Sequence, residues 1–236
     1  SLFPMRDLSL MGMAEIVPHL PRLIRRLRAT TEAIEQIQPA VIVTVDSPGF
    51  SFRVAKRVRP LGIPLIHYVA PQLWAWRPGR GHELTSIIDH MLALLPFEPD
   101  FFKSYDVPCT FVGHPVIEAG LENGNAQRFR QRHGLGETSP IIAVLPGSRH
   151  TEVRRLLPVF GRALHLLSER HHGLTAAIPV IGSVAETVRP EVAQWQIPVI
   201  LITDIAEKID AFASSAAAIT KSGTVTLELA IAGVPM

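Results

Sequence analysis

The second half of the chain alternates between short apolar runs and stretches of helical period. Residues 141–145, 176–181, 198–202 and 216–220 read as strands, and 152–170, 184–195, 205–214 and 224–232 read as the helices that follow them. Short apolar runs bounded by turn residues are strands buried on both faces, and strands alternating with helices imply a covered parallel sheet. The first half repeats the pattern less cleanly, with strands expected at 40–45, 64–68, 91–95 and 110–112 and helical segments at 52–58, 84–88 and 97–105. Residues 13–38 are helical but expected to break near Pro18 and Pro21, because proline removes an N–H and crowds the preceding turn. Residues 70–81 read as irregular. From 113 to 140 the composition shifts to Gly, Asn, Gln and charge, which predicts a linker over 114–140 between an N-terminal α/β domain (1–113) and a C-terminal one (141–236). In parallel sheets ligands sit outside the carboxyl ends of the strands. Two such domains are expected to face each other across a cleft.

Composition narrows the class. At 236 residues the chain has room for two domains, and with 47% apolar residues, 19% charged residues and a mean hydropathy of +0.23 it is globular. No apolar run reaches the roughly 18–20 residues that span a bilayer, and the N-terminus lacks a signal-peptide layout, so an intracellular, non-spanning protein is expected. A net charge of +2 with no aromatic-basic motif argues against nucleic acid as a partner. A single cysteine, Cys109, excludes an internal disulfide framework. Metal-ligand spacing is missing, so no metal site is expected. The chain opens on Ser1 and stops at Met236, where a helix end is about to feed a new strand, which reads as a fragment.

Two strand–turn–helix junctions carry the candidate chemistry. After 141–145 come Pro146, Gly147, Ser148 and Arg149, with Ser148 or Thr151 able to cap the next helix. Backbone N–H groups and the helix dipole converge on such a turn, and the forked guanidinium of Arg149 suits phosphate. An ordinary turn with a solvated Arg is the alternative. The second junction, Thr220 to Thr224, offers Ser222, Gly223 and Thr224 to a diphosphate, with Glu228 one turn on to accept from a ribose. It is neither a Walker A loop nor a dinucleotide fingerprint, and an ordinary capped helix is the alternative. Asp46 follows the strand 40–45, where a partly desolvated carboxylate can act as general base or can cap the next helix. Trp74, Trp76 and Arg77 line a site, touch lipid or close the domain core. His114, at the domain junction, points into the cleft or is structural. Arg22, Arg25, Arg26 and Arg28 flank an apolar stripe of Leu20, Leu23, Ile24 and Leu27, which suits an anionic membrane surface or the solvated face of a packed helix.

Seven segments together resemble the lipid-A-disaccharide synthase family, over essentially the whole chain. They are Leu10 to Glu15, Val45 to Phe50, His67 to Arg77 with its Trp74-Ala75-Trp76-Arg77 core, Leu95 to Glu98, Val112 to Pro115, Leu145 to Arg149, and Lys221 through Glu228. The resemblance implies a fold of the GT-B type, two Rossmann-like domains, from glycosyltransferase family 19. It implies an inverting transfer from UDP-2,3-diacylglucosamine to 2,3-diacylglucosamine 1-phosphate that releases UDP and needs no metal or other cofactor. The residue matching Asp46 is expected to be the base, and Arg149 to be required. Gly147, Ser148, Ser222, Gly223, Thr224 and Glu228 are expected around UDP, and Trp74, Trp76, Arg77 and His114 near the acceptor or lipid. It also implies a Gram-negative source and a place on the cytoplasmic face of the inner membrane. The oligomeric state stays open, a homodimer included. Another UDP-sugar enzyme on the same fold, such as a 2-epimerase, and a noncatalytic lipid-binding protein are the competing readings.

Overall fold

A computed structural model describes residues 2–4, 13–76, 79 and 81–236, without the side chains of 13–16, 76 and 183. Arg77 and the side chain of Trp76 lie outside the described residues, as do residues 10–12 and the side chains of 13–15. The chain divides into two compact units, Ser1–His114 and Pro115–Met236.

In the first unit, helix α1 (Met13–Ile37) leads into β1 (Ile42–Val45), α2 (Pro48–Val58) and β2 (Leu65–Tyr68). Short helices α3 (Leu73–Trp76) and α4 (Gly81–Leu84) precede β3 (His90–Ala93), α5 (Glu98–Lys103) and β4 (Cys109–Phe111). The four strands form a parallel sheet in the order β1-β2-β3-β4. Val54, Ala55 and Val58 of α2 pack with Leu65, Met91 and Phe102 to make the core. Contrary to the expected break, α1 runs unbroken through Pro18 and Pro21. Its later turns dock Leu27 and Ile34 on the core, and such packing outweighs the local loss of two N–H groups. The expected apolar stripe divides in two: Leu27 is buried, whereas Leu20 and Ile24 join Val17 on an exposed row beside the exposed Arg22, Arg25 and Arg28.

The second unit begins with two 3-10 turns, Pro115–Ala119 and Leu121–Asn123, and α6 (Ala126–Arg132). Then follow β5 (Ile141–Leu145), α7 (His150–Ser168), β6 (Thr175–Pro179), α8 (Gly182–Val192), β7 (Val199–Ile202), α9 (Ile205–Ser214), β8 (Ala217–Thr220) and α10 (Thr224–Ile231). The parallel sheet has the order β7-β6-β5-β8. Every residue of β5 is buried, as its unbroken apolar run requires. From β5 the chain proceeds outward through β6 and β7, then returns to place β8 on the other side of β5. That reversal makes the carboxyl ends of β5 and β8 a topological switch point, where open α/β sheets bind ligands.

The expected linker 114–140 is, from Pro115 on, part of the second unit. Phe129 is 1% exposed and packs with Ile141, Ile202 and Ala211, while Val116 and Leu121 enter the core with Phe212 and Leu229. Asn125 caps α6 by accepting from the Arg128 N–H at 2.8 Å. The nearly buried Asp210 of α9 accepts from the Asn125 N–H and from Arg128 Nη2, both at 2.7 Å. Burial pushes the Asp210 carboxyl up, and the bonds from Arg128 and Asn125 outweigh it, so it stays below the ordinary carboxylate range. A segment polar by composition is thus held by a few single apolar anchors and one carboxylate, none of which makes a periodic pattern.

Candidate functional site

In the first unit, strain is concentrated at the carboxyl ends of β1 and β2. Asp46 and Ser47 both have φ of 47°, and Val69, just past β2, has φ of 75°. Positive φ is uncommon outside glycine and an outlier for a β-branched residue, and each such residue costs about 1–3 kcal/mol unless its surroundings hold it. Here they do: the Asp46 N–H donates to the Tyr68 carbonyl at 2.9 Å, the Val69 N–H to the Leu92 carbonyl at 3.1 Å, and Ser51 Oγ to the Asp46 carbonyl at 2.7 Å. The Asp46 side chain is exposed rather than partly desolvated as expected. The N-cap of α2 is Ser47, without a side-chain cap bond, and among the described residues no donor reaches the Asp46 carboxylate. The capping alternative therefore has no bond to support it. Among the described residues a groove of about 370 Å³ is lined by Phe3, Thr44, Val45, Ser47 and Phe50, and Asp46 is not part of its lining.

Beneath Asp46 lies His67, 0% exposed, which pattern reading passed over because it sits inside an apolar strand. Its Nδ1 is 2.7 Å from Thr44 Oγ1, and its ring packs on Phe52 at 4.7 Å. Burial pushes its pKa down to about 4 against the opposing charge of Asp46 and the Val69 backbone, so the imidazole is neutral near pH 7.

Trp74, 39% exposed, is pinned rather than loose. Its Nε1 donates to Glu98 Oε1 at 3.4 Å, and its ring meets Phe97 edge-on at 5.2 Å. Glu98, 2% exposed, accepts from the Leu94 and Leu95 N–H groups at 3.1 and 2.9 Å. A buried carboxylate survives only with such donors, and this one ties the half-exposed aromatic pair to the turn after β3. His114 closes the first unit, half-buried.

The second unit brings the two glycine turns together. β5 and β8 pair with Leu145 opposite Thr220, and the Lys221 N–H donates to the Leu145 carbonyl at 3.2 Å. Residues 146–149 and 221–223 therefore leave neighbouring strand ends, and α7 and α10 begin immediately after them. Gly147, with φ of 117°, is required twice over, since a Cβ there would also run into the Glu152 side chain. Neither Ser148 nor Thr151 is the cap of α7. The N-cap is Arg149, with no side-chain cap bond, which leaves the exposed Ser148 on the turn. Ser222, Gly223 and Thr224 are exposed, and a Cβ on Gly223 would meet open space.

Charge at this end is arranged around Glu152. Its Oε1 accepts from Arg149 Nη1 at 2.7 Å and from Lys221 Nζ at 2.8 Å. Burial pushes the Glu152 carboxyl up, and the hydrogen bonds from Lys221 and Arg149 outweigh it, holding it below its usual range. Ion pairs that still touch solvent are worth about 0–1 kcal/mol each, so the cluster can rearrange around an incoming anion. Glu228 is held from a second helix: its Oε2 accepts from Lys208 Nζ of α9 at 2.8 Å, which leaves Oε1 as an acceptor. Lys208 was invisible to a reading confined to one turn, because it arrives from a different helix. Among the described residues no cluster of three or more His, Cys, Asp or Glu could hold a metal ion.

The family model described as lipid-A-disaccharide synthetase matches residues 1–236. The chain belongs to the lipid-A-disaccharide synthase family. It is 52% identical over 237 residues to the lipid-A-disaccharide synthase of Rhodospirillum centenum, covering 100% of this chain and 59% of that protein. It is 50% identical over 236 residues to the synthase of Granulibacter bethesdensis, covering 100% and 60%. The chain thus spans about 60% of the length of these curated synthases. Among solved structures it is similar to UDP-GlcNAc 2-epimerase of Methanocaldococcus jannaschii in complex with UDP-GlcNAc and UDP, with a TM-score of 0.60 at 14% identity over 97% of this chain and 66% of that one. At that identity the likeness shows the fold alone, and this member of the synthase family has a fold of the GT-B type.

Proposed function

We propose that this chain carries the reaction centre of an inverting glycosyltransferase that joins UDP-2,3-diacylglucosamine to 2,3-diacylglucosamine 1-phosphate, giving the β-1',6-linked disaccharide 1-phosphate and UDP. The observation that carries the reading is the pair of open turns at the β5/β8 switch point, with Arg149 beside two helix N-termini. Negative charge grows on the departing diphosphate, and preorganised donors aimed at it lower the barrier. In the first unit Asp46 supplies the base. Its carboxylate takes the proton of the acceptor 6-hydroxyl as that oxygen bonds to the donor's C1, and the C1–O bond to UDP breaks on the opposite side. The 2-epimerase reading has only fold likeness behind it, whereas the synthase reading has half the residues identical over the whole chain.

Titration of UDP into the intact enzyme, with and without a chelator, tests this reading. Equal affinity in both is expected, because Arg149 and the helix N-termini supply the positive charge. Binding that appears only with magnesium overturns it.

We further propose peripheral contact with the cytoplasmic face of the inner membrane through α1. Among the described residues no helix is long and apolar enough to cross a membrane, and α1 presents Val17, Leu20 and Ile24 to solvent beside Arg22, Arg25 and Arg28. Basic residues near an anionic surface contribute about 1 kcal/mol each. Replacing Arg22, Arg25, Arg26 and Arg28 by Ser is expected to weaken flotation with anionic vesicles, and unchanged flotation would leave the cluster a solvated face.

A further inference from the structure

The Arg149–Glu152–Lys221 cluster is unbalanced in a way that points to a ligand. Two cations converge on one carboxylate oxygen, from turns that leave adjacent strands. One carboxylate neutralises one of them; the second is left to repel its neighbour unless another anion joins. Both cations remain accessible, Arg149 at 37% and Lys221 at 40% side-chain exposure, and each uses a single donor on Glu152. Arg149 offers four further N–H groups and Lys221 two, and among the described residues no hydrogen-bond acceptor takes them. Glu152 is the most buried of the three side chains, at 18%, and lies against Gly147, so it is the fixed point and the cations are the reach.

We propose that Lys221 is a second cation of the diphosphate site, and that Glu152 is a positioning residue holding Lys221 and Arg149 at the carboxyl ends of β5 and β8. The inference rests on the second unit binding UDP and deepens that reading. The ligand it fits is an anion with at least two charges on neighbouring groups, which a diphosphate supplies and a single phosphate does only in part. Arg149 gives a fork to one phosphate, and Lys221, a compact charge on a flexible stem, follows the other. Glu152, by accepting from both, keeps the two cations side by side at the two strand ends.

The test compares wild type, Lys221→Gln and Lys221→Arg in the intact enzyme, titrated with UDP, UMP and uridine, with a melting curve for each. Loss of one charge-assisted contact is worth about tenfold or more in affinity. Lys221→Gln is expected to raise the Kd for UDP about 10- to 100-fold, for UMP less, and for uridine within about twofold, and Lys221→Arg to restore most of the loss. Unchanged UDP affinity in Lys221→Gln overturns the assignment while leaving UDP binding intact. So does an equal loss for UDP and uridine together with a lowered melting temperature, which is the mark of a merely structural ion pair. A wild-type enzyme that binds no UDP overturns the nucleotide reading itself, and this inference with it.

Discussion

Asp46→Asn in the intact enzyme is expected to lower kcat about 100- to 10,000-fold, the range of a lost general base, while the melting temperature and the Kd for UDP stay near wild type. Asparagine keeps the shape, and it tolerates the left-handed conformation that Asp46 adopts at φ of 47° as well as aspartate does. The Ser51 Oγ and Tyr68 contacts use the backbone of residue 46, so the turn does not depend on the carboxylate. What is lost is the ability to take a proton. Steady-state kinetics beside a melting curve decide the matter. A near-normal rate in Asp46→Asn would remove the base assignment, and so would a variant that loses rate only because it has lost its fold.

Arg149→Ala has the opposite signature, since it is expected to damage nucleotide binding and turnover together. A charge-assisted contact to phosphate is worth about 1.5–3 kcal/mol, so UDP binding should weaken about 10- to 100-fold. Charge on the diphosphate is greatest in the transition state, and removing a preorganised donor there costs about 100- to 1,000-fold in kcat. Folding is little affected, because Glu152 keeps Lys221 as a partner at 2.8 Å and α7 draws no side-chain cap from residue 149. Isothermal titration with UDP and initial rates at saturating substrates measure the two effects separately. Intact UDP affinity in Arg149→Ala would overturn the phosphate contact and leave Arg149 only its ion pair with Glu152.

The chain's own pattern determined the α/β class, the eight strands among the described residues and, for five of them, the residue at which they end; the expected strands at 91–95, 110–112 and 176–181 run one or two residues past Ala93, Phe111 and Pro179. Buried parallel strands must be apolar throughout, and glycine or proline must turn the chain toward the next helix, so Ile141–Leu145 with Pro146-Gly147 is legible without coordinates. Asp46, Gly147, Arg149 and Gly223 stand where they were expected, at strand ends, because position along the chain sets that relation. What a linear reading loses is anything made by residues far apart in sequence. Asn125, Arg128 and Phe129 read as linker because their partners, Asp210 and Ile202, lie more than seventy residues on, and α1 passes through two prolines because its later turns have a core to dock on. Lys221 and Glu152, sixty-nine positions apart, meet only because β8 returns to the far side of β5. Lys208 reaches Glu228 from another helix, and His67 is hidden within a strand like any apolar residue. Local periodicity reports which face of an element is buried; only the sheet order decides which charges stand side by side, and at this site those neighbours hold the guanidinium and the ammonium together.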